Sequence, residues 1–481
     1  MATAVDSPAA PVAPAPAARV IALVADAVRR SRRSGRPQLV SWQAAPAAED
    51  PVELWERARS VCDRAFLWRS AWGGPAVVGA GTAADLPAWG GRRFEVLRGA
   101  WSELADPAHR VGEPDAVPLL VGGFAFRDQD HRTDEHPFPD ALMWVPAVQY
   151  RRDGEGPARL VCNVLVTEDT DPVTVVRSRR ALVAALAAPV SEPAAAGGQG
   201  TAVEVPSGAA FRDMVGHAVR DIRSGDFDKV VLARRLQSRA EQPVSPGPAL
   251  RRLRDAYPDA TLFAAHRSRR GTDHCFLGAT PEYLVRVTPD GVLRTVGLAG
   301  SAPRGADAAH DACLADQLLH DAKTLHEHQV VTDSILATLD GVCADILAAP
   351  GPRVLKLANI QHLCSPIEGR LLTPHRAAAL DLVGLLHPTP ALGGHPAGIA
   401  LDWLRAHEGM DRGWYAGPVG WVDADGAAEF GVAIRSARVD GATTTLYAGA
   451  GIVDGSDPRS EYEETRVKFR TMATALGVPL D

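Results

Sequence analysis

The sequence predicts an α+β protein, with antiparallel sheets and helices packed outside them. Three observations carry that reading. Of 481 residues 46% are hydrophobic and 23% charged, the balance of a globular chain and not of a disordered, fibrous or coiled-coil one. Helical and strand-like patterns are mixed in both halves of the chain. Near the C-terminus consecutive strands are joined by the tight turn signals DADG (423–426) and DG (440–441), which makes hairpins and antiparallel pairing and excludes a doubly wound dinucleotide-binding sheet.

In chain order, residues 1–19 read as a disordered Ala/Pro-rich tail. Residues 20–186 form an N-terminal half, with helix patterns at 18–33 and 51–62 and strand-like runs at 66–72, 119–126, 142–150 and 160–167. No catalytic constellation stands out there, so its expected role is to build sheet and cover the other half. Residues 187–206, low in complexity and rich in Ala, Pro and Gly, read as a linker or exposed loop. Residues 207–478 carry the chemical signals. A helix is expected at 208–224, then strands at 228–237, 276–287 and 293–301, one long helix at 308–339 and a helix near 396–407. Strands near 416–422, 428–438 and 443–453 and a final helix at 458–476 complete the pattern.

Lysine and arginine together number 51 against 58 acidic residues, a net charge of −7, so no basic field exists to collect nucleic acid or an anionic membrane. Small molecules or proteins are the expected partners. With no apolar run of about 18 residues and no basic start followed by an apolar core, a cytoplasmic protein is expected. The six cysteines are scattered, without CxxC or metal-finger spacing, and read as reduced core residues. Only four of the 51 basic residues are lysine (Lys229, Lys323, Lys356 and Lys468), the other 47 being arginine. Because an amine can lose its proton when desolvated and a guanidinium cannot, a lysine kept in such a chain is either a chance survivor or marks a place where that matters.

In the run AEFGVAIRSARV, strand alternation sets Glu429, Gly431, Ala433, Arg435 and Ala437 on one face. Arg435 would rise from a floor of small side chains beside Gly449 and Gly451 of the next strand, a planar fork over a hollow that suits a carboxylate; the alternative is an arginine snorkelling to solvent. GAGIVDG (449–455) has neither the spacing nor the basic surroundings of a phosphate loop. The helix after it begins with Asp457 as N-cap and Pro458 as first helical residue. Glu461, Glu464 and Lys468 follow at i, i+3 and i+7 on one face. All-oxygen ligands without histidine suit Mg2+, although an acidic first turn also serves simply to complement the helix dipole. Lys229 opens an apolar strand and Glu282 lies between two strand runs, where burial would lower the amine pKa and raise the carboxyl pKa, as a base and an acid require. HEH at 326–328 lacks zincin spacing.

Taken together these segments resemble the chorismate-utilising enzymes, the family of anthranilate, aminodeoxychorismate, salicylate and isochorismate synthases. The resemblance runs from about Ser207 to Leu476 through KVVLAR (229–234), FLGATPE (276–282), LAGSAPRG (298–305), HEH (326–328), HLCS (362–365), LHPTPALGG (386–394), YAGPVGW (415–421), VAIRSA (432–437) and AGAGIVDGSDPRSEYEET with Lys468. It implies one chorismate-binding sandwich built from two intertwined halves, like anthranilate synthase component I. It implies Mg2+ as cofactor, ligated by Glu327 and Glu464 with Glu461 holding metal-bound water. Gly300, His362, Tyr415, Arg435, Gly449, Gly451 and Lys468 match substrate-binding positions, Lys229 matches the base and Glu282 the acid.

The implied reaction is attack of water at ring carbon 2 of chorismate with loss of the 4-hydroxyl, giving isochorismate. That is an isomerase serving siderophore, menaquinone or salicylate-derived biosynthesis. Lysine at 229 separates it from the aminating synthases, so no amidotransferase subunit is expected, and the chain is expected to be a monomer. The alternative within the family is a salicylate synthase, which goes on to eliminate pyruvate. Outside catalysis, the alternative is a silent chorismate-binding protein, which the presence of Lys229, Glu282, Glu327 and Glu464 disfavours. One departure concerns the metal's outer shell: Thr324 stands where the family commonly has an acidic residue, three before Glu327.

Overall fold

The computed structural model describes residues 16–45, 50–128, 137–189, 200–357 and 360–480. The expected tail up to residue 15 and residues 190–199 of the expected linker lie outside the described residues. Strands from both halves combine in two sheets, one of 13 strands and one of 10. In the larger sheet a C-terminal-half block (Val203–Val205, Lys229–Arg239, Thr443–Val453, Ser436–Asp440, Thr272–Thr280, Thr261–Arg269) continues into an N-terminal-half block. The junction is Thr261–Arg269 against Arg64–Arg69. In the smaller sheet Pro418–Asp423 pairs with Leu119–Phe124 at the corresponding junction. Among the described residues only Gln38–Ala44 with Arg110–Gly112 is a parallel pair. The halves are thus intertwined, as the sequence predicts.

Period-two alternation decides which core each side chain joins. In Arg64–Arg69, Phe66 and Trp68 face a core shared with Phe124, Trp144, Trp421 and Phe430 of the smaller sheet. Ala65 and Leu67 face the other way, beneath the helices Ala17–Ser34, Pro51–Val61, Gly247–Ala256 and Pro458–Leu476, against Val24, Trp55, Leu250 and Met472. The final helix has the expected ends: the Asp457 side chain accepts from the N–H groups of Arg459 and Ser460, Pro458 opens the first turn, and Gly477 closes the helix at φ +70°.

Several elements differ from the sequence reading, each for a local reason. The first helix starts at Ala17, inside the expected tail, because its apolar stripe of Val20, Val24 and Val28 is buried. Val203–Val205, inside the expected linker, is a strand edge, held where Glu204 accepts from Arg234 (3.1 Å) and from the Tyr462 hydroxyl (2.8 Å). The run 142–150 is two strands, Ala141–Val145 and Val148–Asp153, since Pro146 cannot donate to a ladder. The single helix expected at 308–339 is two, Ala308–His320 and Ala322–Asp340. Asp321 breaks it by turning extended and capping the second helix through the Thr324 N–H. Of the six cysteines none is in a disulfide, four are buried, Cys62 is half-buried, and Cys313 is exposed and so is not a core residue.

Candidate active site

Two further breaks build the site. The run 276–287 ends as a large-sheet strand at Thr280 and resumes as a small-sheet strand at Tyr283, so Pro281 and Glu282 form a crossing between the sheets. The run 428–438 crosses back, from Ala428–Val432 in the smaller sheet to Ser436–Asp440 in the larger. The alternation expected to reach Arg435 therefore stops short of it. Arg435 instead sits in the return crossing at φ +49°, a conformation that a non-glycine residue adopts only where its surroundings impose it. The crossings hold each other: the Ala279 N–H donates to the Arg435 carbonyl (3.1 Å) and the Val432 N–H to that of Glu282 (3.0 Å).

Beside this seam lies a cavity of about 340 Å³. Its wall includes Lys229 and Glu282, the residues Gly300, His362, Tyr415, Arg435, Gly449, Gly451 and Lys468, and the carboxylates Glu327, Glu461 and Glu464. All twelve candidates, drawn from strands, crossings, two helices and, for Tyr415, the turn before Pro418–Asp423, meet around one space. Lys229, 3% exposed, donates from Nζ to Glu327 Oε1 at 2.6 Å. Lys468 Nζ donates to the Gly449 carbonyl at 2.8 Å and pairs with Glu464 Oε1 at 2.5 Å. A Cβ at Gly451 would lie 3.1 Å from Glu327 Oε1 and 3.2 Å from Lys229 Cε, so glycine leaves that ion pair its path across the strand. Gly300 adopts φ +76°, and a Cβ there would overlap the Thr324 methyl group.

The electrostatics follow from burial. Desolvation raises the Glu282 carboxyl to a pKa of about 7, against the pull of Lys229, Lys468 and Arg435. Glu461 is likewise raised to about 7, by burial and by the neighbouring Glu464. For Glu464 burial acts upward, but Lys468 outweighs it and the net shift is down. Burial, with Arg435 and Lys468 nearby, pushes His362 down to about 3, so its imidazole is neutral, and its Nε2 is a buried polar atom without a partner at the cavity wall. Tyr415, stacked on Tyr447 at 5.2 Å, is pushed up to about 12 and stays a hydroxyl donor.

The carboxylates suit a hard cation in their chemistry: three carboxylate side chains from two helices line one cavity, one of them raised towards neutrality by burial and by its acidic neighbour. In this arrangement Glu327 and Glu464 each give Oε1 to a lysine, and no three His, Cys, Asp or Glu among the described residues are gathered closely enough to hold a metal. Thr324, at the departing position, turns its hydroxyl to Asp321. His328 of the HEH segment points away, hydrogen-bonded to Ser365 Oγ at 2.8 Å.

The sequence reading missed Glu408 and Arg412, each 1% exposed in its side chain and paired at 2.6 Å, with Arg412 at the cavity wall. They complete the outer edge of the strand that carries Lys229. Gly394–His395 pairs with that edge at Lys229 and Val230, and Val203–Val205 at 235–237. Among the described residues no strand lies between them. Arg412 Nη2 donates to the Val231 carbonyl (2.5 Å), and the Ala233 N–H donates to Glu408 Oε1 (2.9 Å). A buried ion pair therefore does the bonding of a neighbouring strand. The available signal was a glutamate and an arginine four apart in HEGMDRGW.

This fold and cavity define a chorismate-binding enzyme, and the chain belongs to that family, whose pattern it matches over residues 25–477. Its relatives narrow the comparison. The chain is 37% identical over 464 residues to the salicylate biosynthesis isochorismate synthase of Pseudomonas aeruginosa, covering 94% of this chain and 93% of that one. It is 32% identical over 464 residues to isochorismate synthase MenF of Bacillus subtilis, covering 94% and 97%. Among solved structures, MenF, the menaquinone-specific isochorismate synthase of Escherichia coli, matches with a TM-score of 0.76 at 25% identity over 94% of this chain and 100% of that one. Anthranilate synthase component I of Streptococcus pneumoniae matches with a TM-score of 0.68 at 22% identity over 84% and 93%, a likeness of fold alone.

Proposed function

We propose that this protein is a Mg2+-dependent isochorismate synthase, acting on chorismate as a cytoplasmic enzyme of siderophore, menaquinone or salicylate-derived biosynthesis. The observation that carries the reading is a buried acid with a pKa of about 7 and a buried amine on the wall of one cavity, among full-length relatives named isochorismate synthases. Arg435 and His362 would take the enolpyruvyl carboxylate and a neighbouring oxygen, and Tyr415 would donate to the substrate. Lys229 would receive the proton of a water attacking ring carbon 2, once its pair with Glu327 has opened and the ammonium has given up a proton to solvent, leaving the neutral amine. Glu282, protonated, would give its proton to the 4-hydroxyl, which leaves as water, so one water enters and one departs. Glu327 and Glu464, with Glu461 behind a water, would hold Mg2+, which supplies charge neutralisation for the ring carboxylate.

The test is product analysis. Purified protein is incubated with chorismate, with and without Mg2+, and products are separated by chromatography while lactate dehydrogenase reports pyruvate. Isochorismate without pyruvate, lost on chelation, is the expected result. Salicylate and pyruvate in equal amounts would make it a salicylate synthase, and substrate binding without turnover would make it a silent binding protein.

A further inference from the structure

Lysine is rare here and its placement is not random. Three of the four lysines, Lys229, Lys323 and Lys468, line the cavity, whereas among the described residues only two of the 47 arginines, Arg412 and Arg435, do so. The fourth, Lys356, is tied to Asp311 at 2.8 Å. Lys229 and Lys468 are also committed, to Glu327 and Glu464. Lys323 is different: it is exposed, it stands in the first turn of Ala322–Asp340 one turn ahead of Glu327, and among the described residues it makes no hydrogen bond or ion pair. Its acidic neighbours do not consume its charge. Asp321 is occupied in capping the helix through the Thr324 N–H and hydroxyl, and Glu461, though near enough to feel the Lys323 charge, forms no ion pair with it among the described residues.

We propose that Lys323 is the substrate-capture residue of this cavity, a free ammonium at its mouth that pairs with a carboxylate of the incoming dianion. The inference rests on the reading of the substrate as chorismate. The geometry also explains why the pressure towards arginine stops here. A guanidinium at this position would present a rigid fork to the neighbouring Glu461 carboxylate and compete with a cation for it, whereas an ammonium is a compact point charge on a flexible stem. A single exposed charge steers a dianion by long-range attraction that salt screens.

The experiment compares wild type, Lys323→Gln and Lys323→Arg. For Lys323→Gln the chorismate KM is expected to rise about fivefold, the size of one exposed charge pair, and the fall of kcat/KM with added KCl to become shallower. Lys323→Arg is expected to keep the salt dependence yet bind Mg2+ several-fold more weakly by calorimetry without substrate. Equal KM and salt dependence in Lys323→Gln would overturn the capture role, and wild-type Mg2+ affinity in Lys323→Arg would overturn the account of why lysine is kept. Should the wild type fail to turn chorismate over, the functional reading falls separately, and chorismate binding followed by tryptophan fluorescence in the wild type and Lys323→Gln still decides the capture role.

Discussion

Replacing Arg412 with methionine tests whether a side-chain pair really completes the edge of the Lys229 strand. The substitution keeps an apolar stem of similar length but leaves the Glu408 carboxylate, 1% exposed, without its counter-charge, and the carbonyls of Val231 and Leu392 without a donor. Removing one partner of a buried ion pair costs about 3–5 kcal/mol, because the remaining charge stays desolvated. At roughly 2 cal/mol/K per residue, a 481-residue chain that melts as one unit has an unfolding entropy near 1 kcal/mol/K, so Tm should fall by about 3–5 °C. Scanning calorimetry reads this directly. The informative comparison is the double variant Glu408→Met/Arg412→Met, which removes both charges and leaves only backbone groups unpaired; it should melt above either single variant. A fall of less than 1 °C in Arg412→Met, or a double variant below both singles, would refute the surrogate-strand account.

Glu282→Gln should abolish turnover while chorismate binding remains measurable. Its stability change should depend on pH: since folding raises this carboxyl to about 7, its favourable contribution is complete below the unfolded pKa near 4.5 and is lost as pH rises through 7. Glutamine should therefore leave stability unchanged near pH 4.5 and raise it at pH 8 by on the order of 3 kcal/mol, a Tm higher by about 3 °C, and equal melting of the two proteins at pH 8 would contradict the burial argument. Lys229→Ala and Lys229→Arg should both lose turnover, because a guanidinium cannot act as the base; measurable activity in Lys229→Arg would remove that residue from the proton transfer.

What the sequence reveals about this fold depends on whether each signal is local. The final helix is legible to the residue, because Asp457, Pro458 and Gly477 are capping signals read within one turn. Lys468, Glu464 and Glu461 share a face by helical spacing alone. The crossings at Glu282 and Arg435 are not legible as breaks. Their flanking residues are buried whether the chain lies in the larger or the smaller sheet, so FLGATPEYLVRV and AEFGVAIRSARV read as unbroken strands. The division of 308–339 into two helices was signalled by Asp321, whose capping role becomes visible only once the Thr324 N–H is seen to need a partner. Glu408 and Arg412 were hidden because their meaning depends on the absence of a strand between two others, which is a property of the assembled sheet.

The paired crossings also account for the position of the chemistry. A strand inside a sheet spends both its edges on neighbours and offers a cavity only alternate side chains. Where two adjacent segments leave one sheet for the other together, each ladder is interrupted, and the segments satisfy one another through Ala279 with Arg435 and Val432 with Glu282. These two bonds tie the crossings together while the side chains at the break, a carboxyl and a guanidinium, line the space beside the seam. The same arrangement keeps water from Glu282, which is what lifts its pKa towards neutrality. The fold needs the seam to join its sheets, and a buried carboxyl and a buried guanidinium are placed on the cavity wall by that requirement.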